Sequence, residues 1–142
     1  MAQEKIRCLL AMLGTDVHSK GIRTLAQLLR DRGVEVVYLG EHNTADGVIN
    51  ALIAEDADVL GLSYSTATYL HYTHDLLDKM RKAGVADVPV MLGGLIHADD
   101  EPALREMGVK GIFGPGSGMD QIAAFLQDVT GKSLTGDASS ST

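Results

Sequence analysis

Five times along the chain a short apolar run gives way to a stretch whose apolar residues recur at helical spacing. This alternation limits the fold more than any other feature of the sequence. Ile6–Leu13 is apolar throughout except for Arg7, the pattern of a strand buried on both faces. Ile22–Arg32 places Ile22, Leu25, Ala26, Leu28 and Leu29 on one helical stripe, and Gly33 supplies its stop. Val34–Leu39, Val59–Leu62, Val88–Leu92 and Val109–Phe113 are the remaining predicted strands, with Pro89 near a strand start where a missing N–H is tolerated. The helices between and after them run from a Thr44 N-cap to about Glu55, over Thr68–Ala83 with Gly84 as terminator, over Asp99–Met107 with an acidic first turn, and over Met119–Val129.

Five βα units in succession predict an α/β fold: a doubly wound, five-stranded parallel sheet with helices on both faces. The flavodoxin-like (Rossmann-like) strand order 2-1-3-4-5 suits one helix per strand, and in such sheets ligands sit beyond the carboxyl ends of the strands. Residues 1–130 are expected as one domain. Residues 131–142 (GKSLTGDASSST) are small and polar with nothing to bury, and are expected as a disordered tail. The formal net charge of −7 argues against nucleic acid or an anionic membrane as the main partner. A single cysteine, Cys8, excludes an internal disulfide and fits a reducing, cytoplasmic setting, with the thiol an inert part of strand 1. No apolar run approaches the roughly 20 residues of a membrane span, and no signal peptide is evident.

Four segments at the expected carboxyl edge are unusual. After strand 1 comes Gly14-Thr15-Asp16-Val17-His18-Ser19-Lys20-Gly21; after strand 3, Ser63-Tyr64-Ser65-Thr66; after strand 4, Gly93-Gly94; after strand 5, Gly114-Pro115-Gly116-Ser117-Gly118. A carboxylate two residues from an imidazole can fix its tautomer and free the other nitrogen for a metal, although Asp16 or Ser19 could equally cap the next helix. Ser63 and Ser65 can bond a ring nitrogen of a ligand, or form a hydroxyl turn or cap. Gly93-Gly94 admits a planar group against the backbone, or forms a tight turn of positive φ. A phosphoacceptor receiver would need Asp at the end of strand 3 and Lys at the end of strand 5, where Leu62-Ser63 and Phe113-Gly114 stand. A flavodoxin-type phosphate loop is disfavoured by Asp16, and the absence of G-x-G-x-x-G weakens a dinucleotide reading.

Asp16-x-His18-x-x-Gly21, then 41 residues, Ser63-x-Ser65, then 27 residues, and Gly93-Gly94 resembles the cobalamin-binding motif D-x-H-x-x-G … S-x-L … G-G in order and in both gaps. The resemblance spans about residues 5–130. It implies that His18 displaces the dimethylbenzimidazole base and becomes the lower axial ligand of cobalt, with Asp16 bonded to its other nitrogen. It implies further that Ser63 bonds the displaced base, that the nucleotide tail lies beside Gly93, Gly94, Pro115 and Gly116, and that Gly21 lets the first helix pack near the corrin. Thr15, Val17, Ser19, Lys20, Tyr64 and Ser65 complete the implied cofactor contacts. Two positions depart from the pattern. Ser65 stands where the family has Leu, and Met12 stands where the acyl-CoA mutases carry a Lys four residues before the motif Asp, leaving Lys20 as the substitute charge.

The segments LLAMLGTDVHSKG, EDADVLGLSYS and VMLGGLIHADD are similar to the cobalamin domains and stand-alone small subunits of acyl-CoA mutases of the methylmalonyl-CoA and 2-hydroxyisobutyryl-CoA type. Glutamate mutase small subunits carry Cys where Val17 stands. A mutase barrel needs roughly 250 residues, more than the chain has, so the resemblance implies a separate (β/α)8-barrel large subunit that binds most of the acyl-CoA. It also implies adenosylcobalamin as cofactor and a G-protein chaperone as a further partner. The alternatives are a corrinoid carrier for methyl transfer and a cobalamin-dependent regulator; no helical cap precedes strand 1 and no signalling domain is evident. His71 and His74, at helical spacing beside Tyr69 and Tyr72, are expected on a solvated helix face or in contact with the barrel partner, while His42 and His97 follow strands without a pattern of their own.

Overall fold

Strand β1 (Arg7–Leu13) lies between β2 (Glu35–Asn43) and β3 (Val59–Tyr64), and β4 (Val90–Gly94) and β5 (Gly111–Phe113) follow on the β3 side. All pairs are parallel and the order is β2-β1-β3-β4-β5, as the alternation predicts. The chain is described from a computed structural model over residues 5–13, 20–64, 68–114 and 117–134, apart from the side chains of Lys20 and His42. The helices are α1 (Lys20–Asp31), α2 (Ala45–Glu55), α3 (Tyr69–Ala83), α4 (Glu101–Met107) and α5 (Met119–Thr130), with a 3₁₀ turn at Ala98–Asp100 leading into α4.

Period-2 alternation along the strands divides the core into two halves. Leu9, Leu60, Leu62, Val90 and Leu92 pack under α2, α3 and α4, against Val48, Leu52, Leu76 and Leu104. Cys8, Leu10, Met12, Val59 and Met91 pack under α1 and α5, against Ile22, Ala26, Leu29 and Leu126. Thr44 caps α2 as expected: its Oγ1 accepts the Gly47 N–H at 3.0 Å.

The strand ends at the carboxyl edge run further than hydrophobicity alone suggests. Ser63 pairs with Gly93 and Tyr64 with Gly94, so these residues are strand rather than loop. Ladder pairing with a neighbour here outweighs low intrinsic strand preference. Strand β2 likewise continues through a bulged register to Asn43, whose Nδ2 donates to the carbonyls of Met12 (3.0 Å) and Gly40 (2.8 Å). That bond pins the end of β1, the strand from which the motif loop departs.

Residues 131–134 correct the expected tail. Leu134 is buried in the α1/α5 half of the core, its N–H donates to Gln127 Oε1 at 3.1 Å, and Lys132 Nζ donates to Asp58 Oδ2 at 3.0 Å. One leucine in an otherwise polar segment found an apolar seat that composition averages conceal. Residues 135–142 lie outside the described residues.

Candidate functional site

On β3, Leu60, Leu62 and Tyr64 face the α2/α3 half of the core, and Val59, Gly61 and Ser63 face the α1/α5 half. On β4, Val90 and Leu92 turn one way and Met91 and Gly93 the other. Toward the carboxyl edge, large side chains therefore fill one face while two glycines and a serine occupy the other. The result is a cleft of about 520 Å³, bounded by Gly61, Ser63 and Gly93 of the sheet, Ile22 and Leu25 of α1, and Met119 of α5. That volume falls within the roughly 300–1,000 Å³ of small-molecule sites.

The glycines of the cleft play different parts. A Cβ on Gly61 would come within 2.6 Å of Leu10 Cδ2 and 3.0 Å of Met91 Cε, so these two side chains pack directly over its bare backbone and would have to shift to admit a larger residue. A Cβ on Gly93 would meet just the Phe113 carbonyl, at 3.4 Å, an ordinary contact; the space in front of Gly93 is the cleft itself. Gly94 has φ +101°, and a Cβ there would collide with the Tyr64 carbonyl. The Gly93-Gly94 pair thus combines both readings of the sequence: Gly93 opens the wall, and Gly94 makes the turn.

Ser63 is half-buried and lines the cleft. Gly21 opens α1 at the cleft margin, and a Cβ there would meet none of the described residues within 4 Å. The side chain of Tyr64 departs from the expectation. It is buried on the opposite face, its hydroxyl lies 3.0 Å from Thr73 Oγ1, and burial pushes its phenol up. A residue one position from Ser63 on a strand must face the other way, so Tyr64 offers the cleft its backbone alone. Lys20 begins α1. Thr15, Asp16, Val17, His18, Ser19, Ser65, Pro115 and Gly116 lie outside the described residues; Gly114 and Ser117, which flank the last two, both line the cleft.

Met12 is fully buried on the sheet face that carries the cleft, so this position offers a thioether and no charge. Tyr69 corrects the expected partner contact: it is 4 % exposed and cannot present its ring to another chain. Its hydroxyl donates to Asp100 Oδ2 and accepts the His97 N–H; the Asp100 carboxylate pushes the phenol up. His71 and His74 are exposed on α3 as expected. Cys8 is fully buried and its thiol is pushed up to about 12, chiefly by desolvation, which makes it inert. Sequence reading passed over Gly61, although an isolated glycine inside an apolar strand signals a close approach. Leu28, which shares the apolar helical stripe of α1, is 40 % exposed at the cleft margin.

A family model described as the B12 binding domain matches residues 6–124. The chain belongs to the B12-binding domain family. This B12-binding domain is 38% identical over 113 residues to the 2-hydroxyisobutanoyl-CoA mutase small subunit of Aquincola tertiaricarbonis, covering 80% of this chain and 83% of that one. It is 35% identical over 128 residues to the pivalyl-CoA mutase small subunit of Xanthobacter autotrophicus, covering 90% of this chain and 86% of that one. Among solved structures, a cobalamin-binding protein from Desulfitobacterium hafniense superposes with a TM-score of 0.65 at 20% identity, over 77% of this chain and 53% of that one. The last likeness concerns the fold alone.

Proposed function

We propose that this chain is the cobalamin-binding small subunit of a heteromeric, adenosylcobalamin-dependent acyl-CoA mutase. The observation that carries the reading is the cleft in front of Gly93, beside the Ser63 hydroxyl, at the carboxyl edge of a B12-binding domain. Its two relatives named as mutase small subunits match over most of both chains, which supports a subunit rather than a methyl carrier or a regulator.

The described residues fit the nucleotide tail of the cofactor. A flat base needs a gap free of Cβ atoms and a hydroxyl at its edge, and Gly93 with Ser63 supply both. The hydrophobic flank from Ile22 and Leu25 suits the faces of the base. In the motif loop, His18 would hold the cobalt of the cofactor through one ring nitrogen, and Asp16 would accept from the other, fixing the tautomer and raising the basicity of the imidazole. Thr15, Val17, Ser19, Lys20 and Gly21 would complete the contacts of that loop with the cofactor, and Pro115 and Gly116 would border the tail. The cofactor, when bound, supplies the carbon radical for a 1,2-rearrangement. The large barrel subunit binds the acyl-CoA and completes the enclosure, and loading by a G-protein chaperone belongs to the same reading.

A visible absorption titration with adenosylcobalamin tests it, with His18→Ala beside the wild type. The expected result is a base-off, histidine-ligated spectrum in the wild type that is lost in His18→Ala. A wild type that leaves the cofactor base-on, or a His18→Ala variant with an unchanged spectrum, rejects the ligand assignment.

A further inference from the structure

The wall of the cleft ends in a turn that one apolar side chain, Ile96, anchors in the core. After Gly94 the chain passes through Leu95, which is 61 % exposed, then through half-buried Ile96 and exposed His97 into the 3₁₀ turn at Ala98–Asp100. Ile96 packs against the α2/α3 half of the core; the exposed residues on either side of it take their shape from hydrogen bonds. The Leu95 N–H donates to the Tyr64 carbonyl at 2.9 Å, and the Ile96 N–H donates to the Gly94 carbonyl at 3.1 Å. The next amide, that of His97, donates at 3.0 Å to the hydroxyl of Tyr69, a side chain from α3. The same hydroxyl donates at 2.5 Å to Asp100 Oδ2, at the other end of the turn. The Tyr69 ring is buried, with its centroid 6.1 Å from that of Tyr64, the residue whose backbone lies against Gly94.

We infer that Tyr69 is a positioning residue of the cofactor cleft: from the far face of the sheet, its hydroxyl clamps the 94–100 turn at two points and so sets the Gly93–Gly94 wall against the nucleotide tail. The inference rests on the proposed use of the cleft for that tail. The phenol suits the task because it can donate and accept at once and sits on a stiff ring already locked by packing. Phe at position 69 would keep the ring contact and lose both bonds. The His97 N–H and the Asp100 carboxylate would then turn to water, and the turn would be free to move the wall.

The test compares cobalamin with cobinamide, the same corrin lacking the nucleotide tail, by absorption titration of the wild type and of Tyr69→Phe. The expected result is that the wild type prefers cobalamin, and that Tyr69→Phe weakens cobalamin about tenfold, the loss from one to two hydrogen bonds, while cobinamide binding is unchanged. Loss of affinity for both corrinoids alike would mark a general structural defect and overturn the inference, as would an unaltered preference in Tyr69→Phe. A wild type that binds the two corrinoids equally, or binds neither, would overturn the tail-in-cleft reading and this inference with it. Should Tyr69→Phe fold poorly, Asp100→Ala and Asp100→Asn decide the matter: Ala should reduce the preference for cobalamin, and Asn, which keeps an acceptor for the hydroxyl, should restore it.

Discussion

The two faces of β3 have opposite fates within six residues. Toward α2 and α3 stand Leu60, Leu62 and Tyr64, all buried in one continuous apolar cluster. Toward α1 and α5 stand Val59, Gly61 and Ser63, and there the core stops short and a cleft opens. A parallel sheet covered on both sides normally asks for bulk on both. Here one face keeps the fold together and the other gives up side chains to make room, so mutations on adjacent residues should separate stability from binding.

The largest expected effect is on the filled face. Leu60→Ala should cost about 3 kcal/mol in urea denaturation, the usual loss for a fully buried leucine, and leave the cobalamin affinity of the folded protein unchanged. An affinity loss of equal size would mean that the two faces are coupled. On the open face, Gly93→Leu should lower cobalamin affinity on the order of 100-fold, because the new side chain occupies the cleft, while unfolding free energy changes by less than about 1 kcal/mol. The neighbours Tyr64 and Ser63 sharpen the contrast. Tyr64→Phe strips the partner from the buried Thr73 hydroxyl and should cost about 1 kcal/mol of stability with binding intact. Ser63→Ala should do the reverse, about fivefold in affinity and nothing measurable in stability.

The smallest effect tests where the open face closes again. Cys8 shares the face of the cleft but lies fully buried toward the amino end of β1. Burial pushes its thiol up to about 12 in the folded chain, so the unfolded chain, with an ordinary thiol, loses the proton first. The stability from the neutral buried thiol is complete below pH 9 and declines as pH rises toward 12. Between pH 8 and pH 10 the wild type should therefore lose about 1 kcal/mol more than Cys8→Ala in parallel urea titrations. Equal losses would show that water reaches Cys8 from the cleft.

Much of this was legible in the chain. Apolar runs alternating with amphipathic stretches imply the strand order, because parallel strands need crossover helices and right-handed crossovers leave few topologies. The spacing of Asp16, His18, Gly21, Ser63 and Gly93-Gly94 pointed to the family that the match over residues 6–124 bears out. Less legible were the strand ends. Ser63, Gly93 and Gly94 have weak strand preference and became strand because each found a partner across the ladder. Leu134 shows the same limit from the other side, since an apolar residue in a polar segment is seated only when a core offers it a place.

What the sequence determined by itself was a periodicity and a set of spacings, and local chemistry suffices for both: alternate residues on a strand must face apart, and a motif keeps its order along the chain. Only the tertiary structure decided which face of β3 would be hollow, because that depends on where α1 and α5 cross the sheet. It also divided the labour between Gly93 and Gly94, and turned Tyr69 from a surface residue at helical spacing into the clamp on the turn beyond them. The physical reason is common to all three. Each property belongs to a contact between segments far apart in the chain, and such a contact exists only once the segments have packed.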